Sequence, residues 1–161
     1  GLRFFTVYGP WGRPDMALFL FTDSILKNRK INVFNRGDML RDFTFIDDIV
    51  TGVLKVLDKT PRVNKKFDTK NPDPSGSFAP YRIFNIGNSH PETLMNYIRT
   101  LEKHLGMKAK IRKLPMQPGD VKATNASMKE LDMWVRYKPK TTINQGIKKF
   151  VNWYLKYNDI K

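Results

Sequence analysis

Few residues in this 161-residue chain have both the type and the setting to do chemistry. There is no Cys, which removes thiolate nucleophiles, disulfides and thiolate zinc sites together. The two histidines, His90 and His104, have no second His or carboxylate at ligand spacing, read as surface residues, and leave no metal site. Arg41 differs from the other cations. It adjoins the apolar run from Phe43 to Ile46, where an unpaired charge is costly, so its guanidinium needs either an anion or one of the acidic neighbours Asp42, Asp47 and Asp48.

The remaining charge is abundant but dispersed. The formal net charge is +14, from 29 Lys and Arg against 15 Asp and Glu, yet no basic run exceeds Lys65-Lys66 or Lys148-Lys149. A nucleic-acid binder needs a basic stripe interleaved with stacking aromatics, and none is present, so no nucleic-acid partner is expected. The longest apolar stretch, Met16 to Phe21, is far short of a membrane span, so no membrane partner is expected either. Absence of Cys fits a reducing cytoplasm, the expected location. With 40% hydrophobic and 12% aromatic residues, residues 1–161 read as one compact domain.

The elements follow from periodicity and punctuation. Leu2 to Tyr8 reads as a buried strand, stopped by Gly9-Pro10-Trp11-Gly12-Arg13-Pro14, with Asp15 as N-cap of a helix running to Asn28. Ile31 to Phe34 is a short strand before the turn Asn35 to Asp38, and Arg41 to Ile46 is another. Asp47-Asp48 is expected to cap a helix that buries Ile49, Val50, Val53, Leu54, Val56 and Leu57. Lys59 to Pro80 reads as a long Pro-rich surface loop, the segment expected to be least ordered. Tyr81 to Ile86 is the next strand. Ser89 to Glu92 is expected to open a helix ending at Gly106, Lys108 to Leu114 to form a strand, Ser127 to cap a helix to Trp134, and Thr142 to Tyr157 to form the last helix. Strands alternating with helices argue for an α/β fold.

Beside this reading stands a resemblance. GLRFFTVYGPWGRPD, residues 1–15, resembles the strand and turn just after the catalytic Tyr-x-x-x-Lys of extended short-chain dehydrogenase/reductase enzymes, and most closely the UDP-glucuronate 4-epimerases. The likeness continues in register through Arg41-Asp-Phe-Thr-Phe-Ile-Asp-Asp48, Pro80-Tyr-Arg-Ile-Phe-Asn-Ile-Gly-Asn88, Leu114-Pro-Met-Gln-Pro-Gly-Asp-Val121, Tyr137-Lys-Pro139 and Gly146 to Tyr154. One departure is Arg136, where such enzymes usually carry Gly before the Tyr.

The resemblance implies a Rossmann-like α/β protein of which this chain is the C-terminal, substrate-binding part. The ten glycines never form G-x-G-x-x-G, so the dinucleotide-binding half is expected to lie outside it. The opening Gly1-Leu-Arg-Phe-Phe-Thr6, with no Met, reads as the interior of something longer. The sole Tyr-x-x-x-Lys, Tyr157 to Lys161, follows the substrate motifs and is rejected as a catalytic pair, leaving no catalytic residue in the chain.

Residue by residue, the resemblance places Thr6 on the sugar, where a hydroxyl binds the C5 carboxylate, and Phe4 and Phe5 near the nicotinamide of NAD. It puts the Arg13 guanidinium toward the anionic substrate and makes Asn32, Val33 and Phe34 the uracil site, through backbone groups and an aromatic face. Arg41 matches the clamp on the diphosphate, Asp120 the carboxylate that holds the ribose diol, and Gln117 a nucleotide contact that is Arg in other epimerases. The implied reaction is NAD-dependent inversion at C4 of UDP-glucuronate, giving UDP-galacturonate through a 4-keto sugar, with this chain inactive alone. A UDP-hexosamine or UDP-pentose enzyme, or a non-catalytic nucleotide-sugar-binding module, are the alternatives. Self-association is expected through strand 2–7, whose other edge would lack a neighbour.

Overall fold

The computed structural model describes residues 1–160. In chain order the elements are β1 (Leu2–Phe4), β2 (Thr6–Tyr8), α1 (Ala17–Leu26), β3 (Lys30–Val33), β4 (Leu40–Arg41), β5 (Phe43–Phe45) and α2 (Ile46–Leu57). They continue with β6 (Phe84–Ile86), β7 (Glu92–Thr93), α3 (Leu94–Leu105), β8 (Lys110–Lys113), α4 (Lys129–Val135) and α5 (Ile143–Tyr157). The expected α/β character is realised, with three parallel strand pairs and one antiparallel pair.

The predicted strand Leu2–Tyr8 is present in two pieces because it changes neighbours at Phe5. β1 pairs with β6, Leu2 opposite Phe84, and the Phe5 N–H still donates to the Ile86 carbonyl at 3.1 Å. Beyond that point β2 pairs with β5, Thr6 opposite Phe43. β3 lies parallel to β8, and β4 antiparallel to β7.

Three predicted caps are not made. Asp15 does not cap α1: Met16 holds the cap position without a side-chain bond, and the Asp15 carboxylate pairs with Arg13 at 3.2 Å on the surface. Phe45 takes the cap position of α2, and Asp47 and Asp48 fall in its first turn, where negative charge still favours the helix dipole. Met128 rather than Ser127 precedes α4. Glu92 and Thr93 form β7 instead of opening a helix, because Arg41 and Leu40 pair with them; the Thr93 hydroxyl then caps α3 by accepting the Asn96 N–H at 3.0 Å. Gly106, at φ 67°, ends α3 as expected, and Thr142 with Gln145 forms a full capping box on α5. Arg136, where the resemblance leads one to expect Gly, is the left-handed C-cap of α4 at φ 50°.

Two apolar clusters hold the elements together. Tyr8, Ile25, Val33, Phe45, Tyr97, Leu101 and Phe150 join β2, α1, β3, β5, α3 and α5, while Ile49, Phe84, Ile86, Leu131 and Tyr137 join α2, β6 and α4. Against expectation, Val50, Leu54 and Leu57 of α2 are exposed, since among the described residues only one flank of that helix has neighbours. Residues 59–80 form no helix or ladder strand, only an isolated bridge from Gly76 to Arg82. Within them the Asp73 carboxylate accepts the Ser75 N–H and hydroxyl, both at 2.8 Å, which holds its pKa below the ordinary value. Among the described residues, no helix is long and apolar enough to cross a membrane.

Candidate functional site

Alternation along β3 sets the floor of a cleft. Ile31 and Val33 point into the core, so Lys30 and Asn32 face outward, and Phe34 follows where the chain turns through left-handed Asn35 and Arg36. Arg41 on β4, Thr6 on β2, the start of α1 and the segment carrying Gln117 and Asp120 complete the walls. The enclosed volume is about 780 Å³. Thr6, Asn32, Phe34, Arg41, Gln117 and Asp120 are thereby brought together from four parts of the chain.

The cation in this cleft is not free. Arg41 Nη2 donates to Asp120 Oδ1 at 2.7 Å, while Nη1 is tied to the Leu40 and Lys122 carbonyls at 2.8 and 3.2 Å. None of the acidic neighbours Asp42, Asp47 and Asp48 is the Arg41 partner among the described residues. Asp42 projects to the other side of the strand and is fully buried. Its carboxylate accepts three backbone N–H groups: Asn88 at 2.6 Å, Ser89 at 3.0 Å and Ala126 at 2.8 Å. A Cβ on Gly87 would sit 2.3 Å from the Ala126 Cβ, so only glycine lets these segments close around the carboxylate. Asp48 plays a similar part elsewhere, accepting the Thr141 N–H at 2.9 Å while its carbonyl accepts the Tyr137 hydroxyl at 2.7 Å. Burial, followed by the nearby Asp48 charge, pushes the Tyr137 pKa up to about 12.

Other predicted site residues lie apart. The Val33 side chain is wholly buried in the core, and its carbonyl accepts the Leu114 N–H at 2.9 Å. Arg13, with a side chain 73% exposed, lies outside the large cleft, bordering a small adjacent cavity shared with Thr6 and Met16. Phe4 and Phe5 line an open concavity with Arg3, Thr6 and Thr124, so Thr6 borders both this concavity and the cleft. That exposed aromatic face fits the flat ring of a nicotinamide, whereas no glycine-rich turn in the chain fits its pyrophosphate. Tyr157 stacks on Trp153 at 5.2 Å, and Lys161, its proposed sequence partner, is outside the described residues. His90 and His104 bond Asn88 and Asn144, and among the described residues no three acidic or His groups gather as metal ligands. Lys30, Met39, Leu20 and Ser24 also line the cleft. Of these only Lys30 was legible, through its two-residue spacing from Asn32.

The NAD dependent epimerase/dehydratase family matches residues 1–87, more than half of the chain. The chain belongs to this family. Protein CapI of Staphylococcus aureus is 49% identical over 157 residues, 98% of this chain and 47% of its own length. UDP-glucuronate 4-epimerase 1 of Arabidopsis thaliana is 48% identical over 161 residues, covering 98% of this chain and 36% of that protein. The chain thus spans less than half the length of these curated relatives. Among solved structures, the Bacillus cereus UDP-glucuronic acid 4-epimerase in complex with UDP-glucuronic acid and NAD superposes with a TM-score of 0.79 at 28% identity, covering 97% of this chain and 45% of that one. The Thermotoga maritima UDP-glucose 4-epimerase with UDP-glucose shares the fold, with a TM-score of 0.79 at 23% identity over 98% of this chain and 46% of that one.

Proposed function

We propose that this chain is the UDP-sugar-binding part of an NAD-dependent nucleotide-sugar 4-epimerase acting on UDP-glucuronate. The observation that carries the reading is the convergence of Arg41, Asp120, Asn32, Phe34 and Gln117 on one cleft with Thr6 at its end. Arg41 offers a planar donor fork to the diphosphate, and Asp120 offers acceptors to a ribose diol. Asn32 and Phe34 present polar groups and an aromatic face to the base, with Gln117 as an uncharged nucleotide contact. Thr6 holds the sugar carboxylate by its hydroxyl. The substrate carries about three negative charges, and the excess of cations draws it in. Arg13, at the margin, adds to this field.

The chemistry that NAD supplies when bound is reversible hydride transfer at the sugar C4. Phe4 and Phe5 would lie against its nicotinamide, next to Thr6. This chain's part is to bind and orient the sugar. Turnover is expected to need residues beyond it, because it contains no glycine-rich dinucleotide turn. The exposed Phe4 edge and the Val50, Leu54 and Leu57 stripe are surfaces for the cofactor-binding half or for self-association.

Calorimetric titration with UDP-glucuronate, UDP-glucose and UDP, with Arg41→Ala as control, tests the reading. Glucuronate is expected to bind tighter than glucose, and both to be lost in the variant. Absence of binding at millimolar ligand would sink it.

A further inference from the structure

Resting on that nucleotide-sugar reading, we infer that Arg41 and Asp120 are an exchange pair. Each is the other's stand-in ligand, and the cleft opens fully only to a molecule that replaces both ends at once: a diphosphate for the guanidinium and a vicinal diol for the carboxylate. The pair is well seated, with side chains only 16% and 32% exposed. Its two ends are held differently. Arg41 Nη1 is fixed by the Leu40 and Lys122 carbonyls, so removing Asp120 leaves the guanidinium in place with Nη2 turned to the cleft. Asp120 Oδ1 also accepts the Val121 N–H at 2.8 Å, while Oδ2 has no partner among the described residues and is available to a hydroxyl.

The backbone cannot relieve the competition by moving apart. Leu40 bridges Ala123, the Leu40 N–H donates to the Lys122 carbonyl at 2.9 Å, and Thr124 returns a bond to Leu40 at 3.2 Å. On the far side Asp42 grips Ala126. The strand carrying Arg41 and the segment carrying Asp120 are therefore stitched together on both sides of the pair, and ligand entry must proceed by exchange of partners. A bare diphosphate breaks the pair and leaves the carboxylate with only the Val121 N–H as partner, which costs affinity. A nucleotide with both ribose hydroxyls repairs both ends. A 2′-deoxy nucleotide repairs only part of the second, so the pair selects ribonucleotides.

The test is calorimetry on the 161-residue chain with inorganic pyrophosphate, UDP and 2′-deoxy-UDP, using Asp120→Ala, with Asp120→Asn should the first be poorly folded. Wild type is expected to bind UDP about tenfold tighter than 2′-deoxy-UDP. In Asp120→Ala, pyrophosphate is expected to bind about tenfold tighter than in wild type, and the gap between the two nucleotides to shrink to about twofold. Asp15→Ala removes another carboxylate from the same cleft, one paired with Arg13, and is expected to change pyrophosphate affinity by less than about twofold. Unchanged pyrophosphate affinity in Asp120→Ala, or an equal gain in Asp15→Ala, overturns the exchange while UDP binding by wild type upholds the cleft. Failure of wild type to bind UDP overturns the cleft reading, and the exchange with it.

Discussion

Replacing Asp42 by alanine removes the acceptor of three backbone amides at once, that of Ala126 buried and those of Asn88 and Ser89 partly so. The Asn88, Ser89 and Ala126 N–H groups lie 2.6, 3.0 and 2.8 Å from its carboxylate and make no other hydrogen bond among the described residues. An unsatisfied buried donor costs about 1–3 kcal/mol, so three set a ceiling of about 3–9 kcal/mol. Water entering the space vacated by the side chain recovers part of this, and the expected loss is about 4 kcal/mol. Asparagine separates the contributions. Its one oxygen, placed where Oδ2 stands, keeps the bonds from Ser89 and Ala126, while its amide faces the Asn88 N–H donor to donor; the expected loss is about 2 kcal/mol. Urea unfolding followed by tryptophan fluorescence reads both, since Trp134 packs on Phe84 in the adjoining cluster. A loss below about 1 kcal/mol for Asp42→Ala, or equal losses for the two variants, would refute the assignment of Asp42 as the acceptor that binds these segments.

A Cβ on Gly146 would lie 2.1 Å from the Tyr8 hydroxyl oxygen, so Gly146→Ala is expected to destabilise by about 2 kcal/mol despite alanine's helix preference. Tyr8→Phe removes a buried hydroxyl that has no partner among the described residues; it should cost no more than about 0.5 kcal/mol alone and recover about 1 kcal/mol in the double variant, which a thermal double-mutant cycle measures. Arg136→Gly relieves a left-handed cap and is expected to raise stability by about 0.5–1 kcal/mol in the same assay. Burial raises the pKa of Tyr8 and Tyr97, and that of Tyr137 from 10.0 to about 12, so the unfolded chain releases these protons first. The contribution of these tyrosines should therefore be level below pH 10 and stability should fall as pH rises from there toward about 12, with Tyr137→Phe lessening the fall, as read by unfolding midpoints alongside tyrosinate absorbance.

Much of the architecture was legible because its signals are local. The period of α5, its Thr142 cap and the Gly106 stop need only their neighbours in sequence, and all are present. Asp15, Ser127 and the stretch from Ser89 to Glu92 looked equally local and did not behave so: Arg13 claimed the first, and pairing with β4 drew Glu92 and Thr93 into a strand. Val50, Leu54 and Leu57 carry the pattern of a buried stripe, but a pattern states what a helix could bury and not how many neighbours it has. In the cleft, alternation along β3 separates Asn32 from Val33, so that half of the site could be anticipated. The Arg41 to Asp120 pair spans 79 positions and the Asp42 bonds 46, 47 and 84, and no spacing rule connects residues so distant.

The parallel ladders also govern the order in which the molecule can come into being. Leu2 must wait for Phe84, and Lys30 for Lys110, before either first strand has its partner. On a ribosome, the opening strands therefore emerge well before the residues that satisfy their amides. Closing such long loops is entropically slow, so folding should be late and concerted rather than progressive. The cleft inherits this timing: its Arg41 wall is synthesised early, but no complete binding surface exists until Asp120 has cleared the exit tunnel. A nascent chain halted within residues 59–80 would display β1 without its ladder, a state suited to chaperones and prone to aggregation.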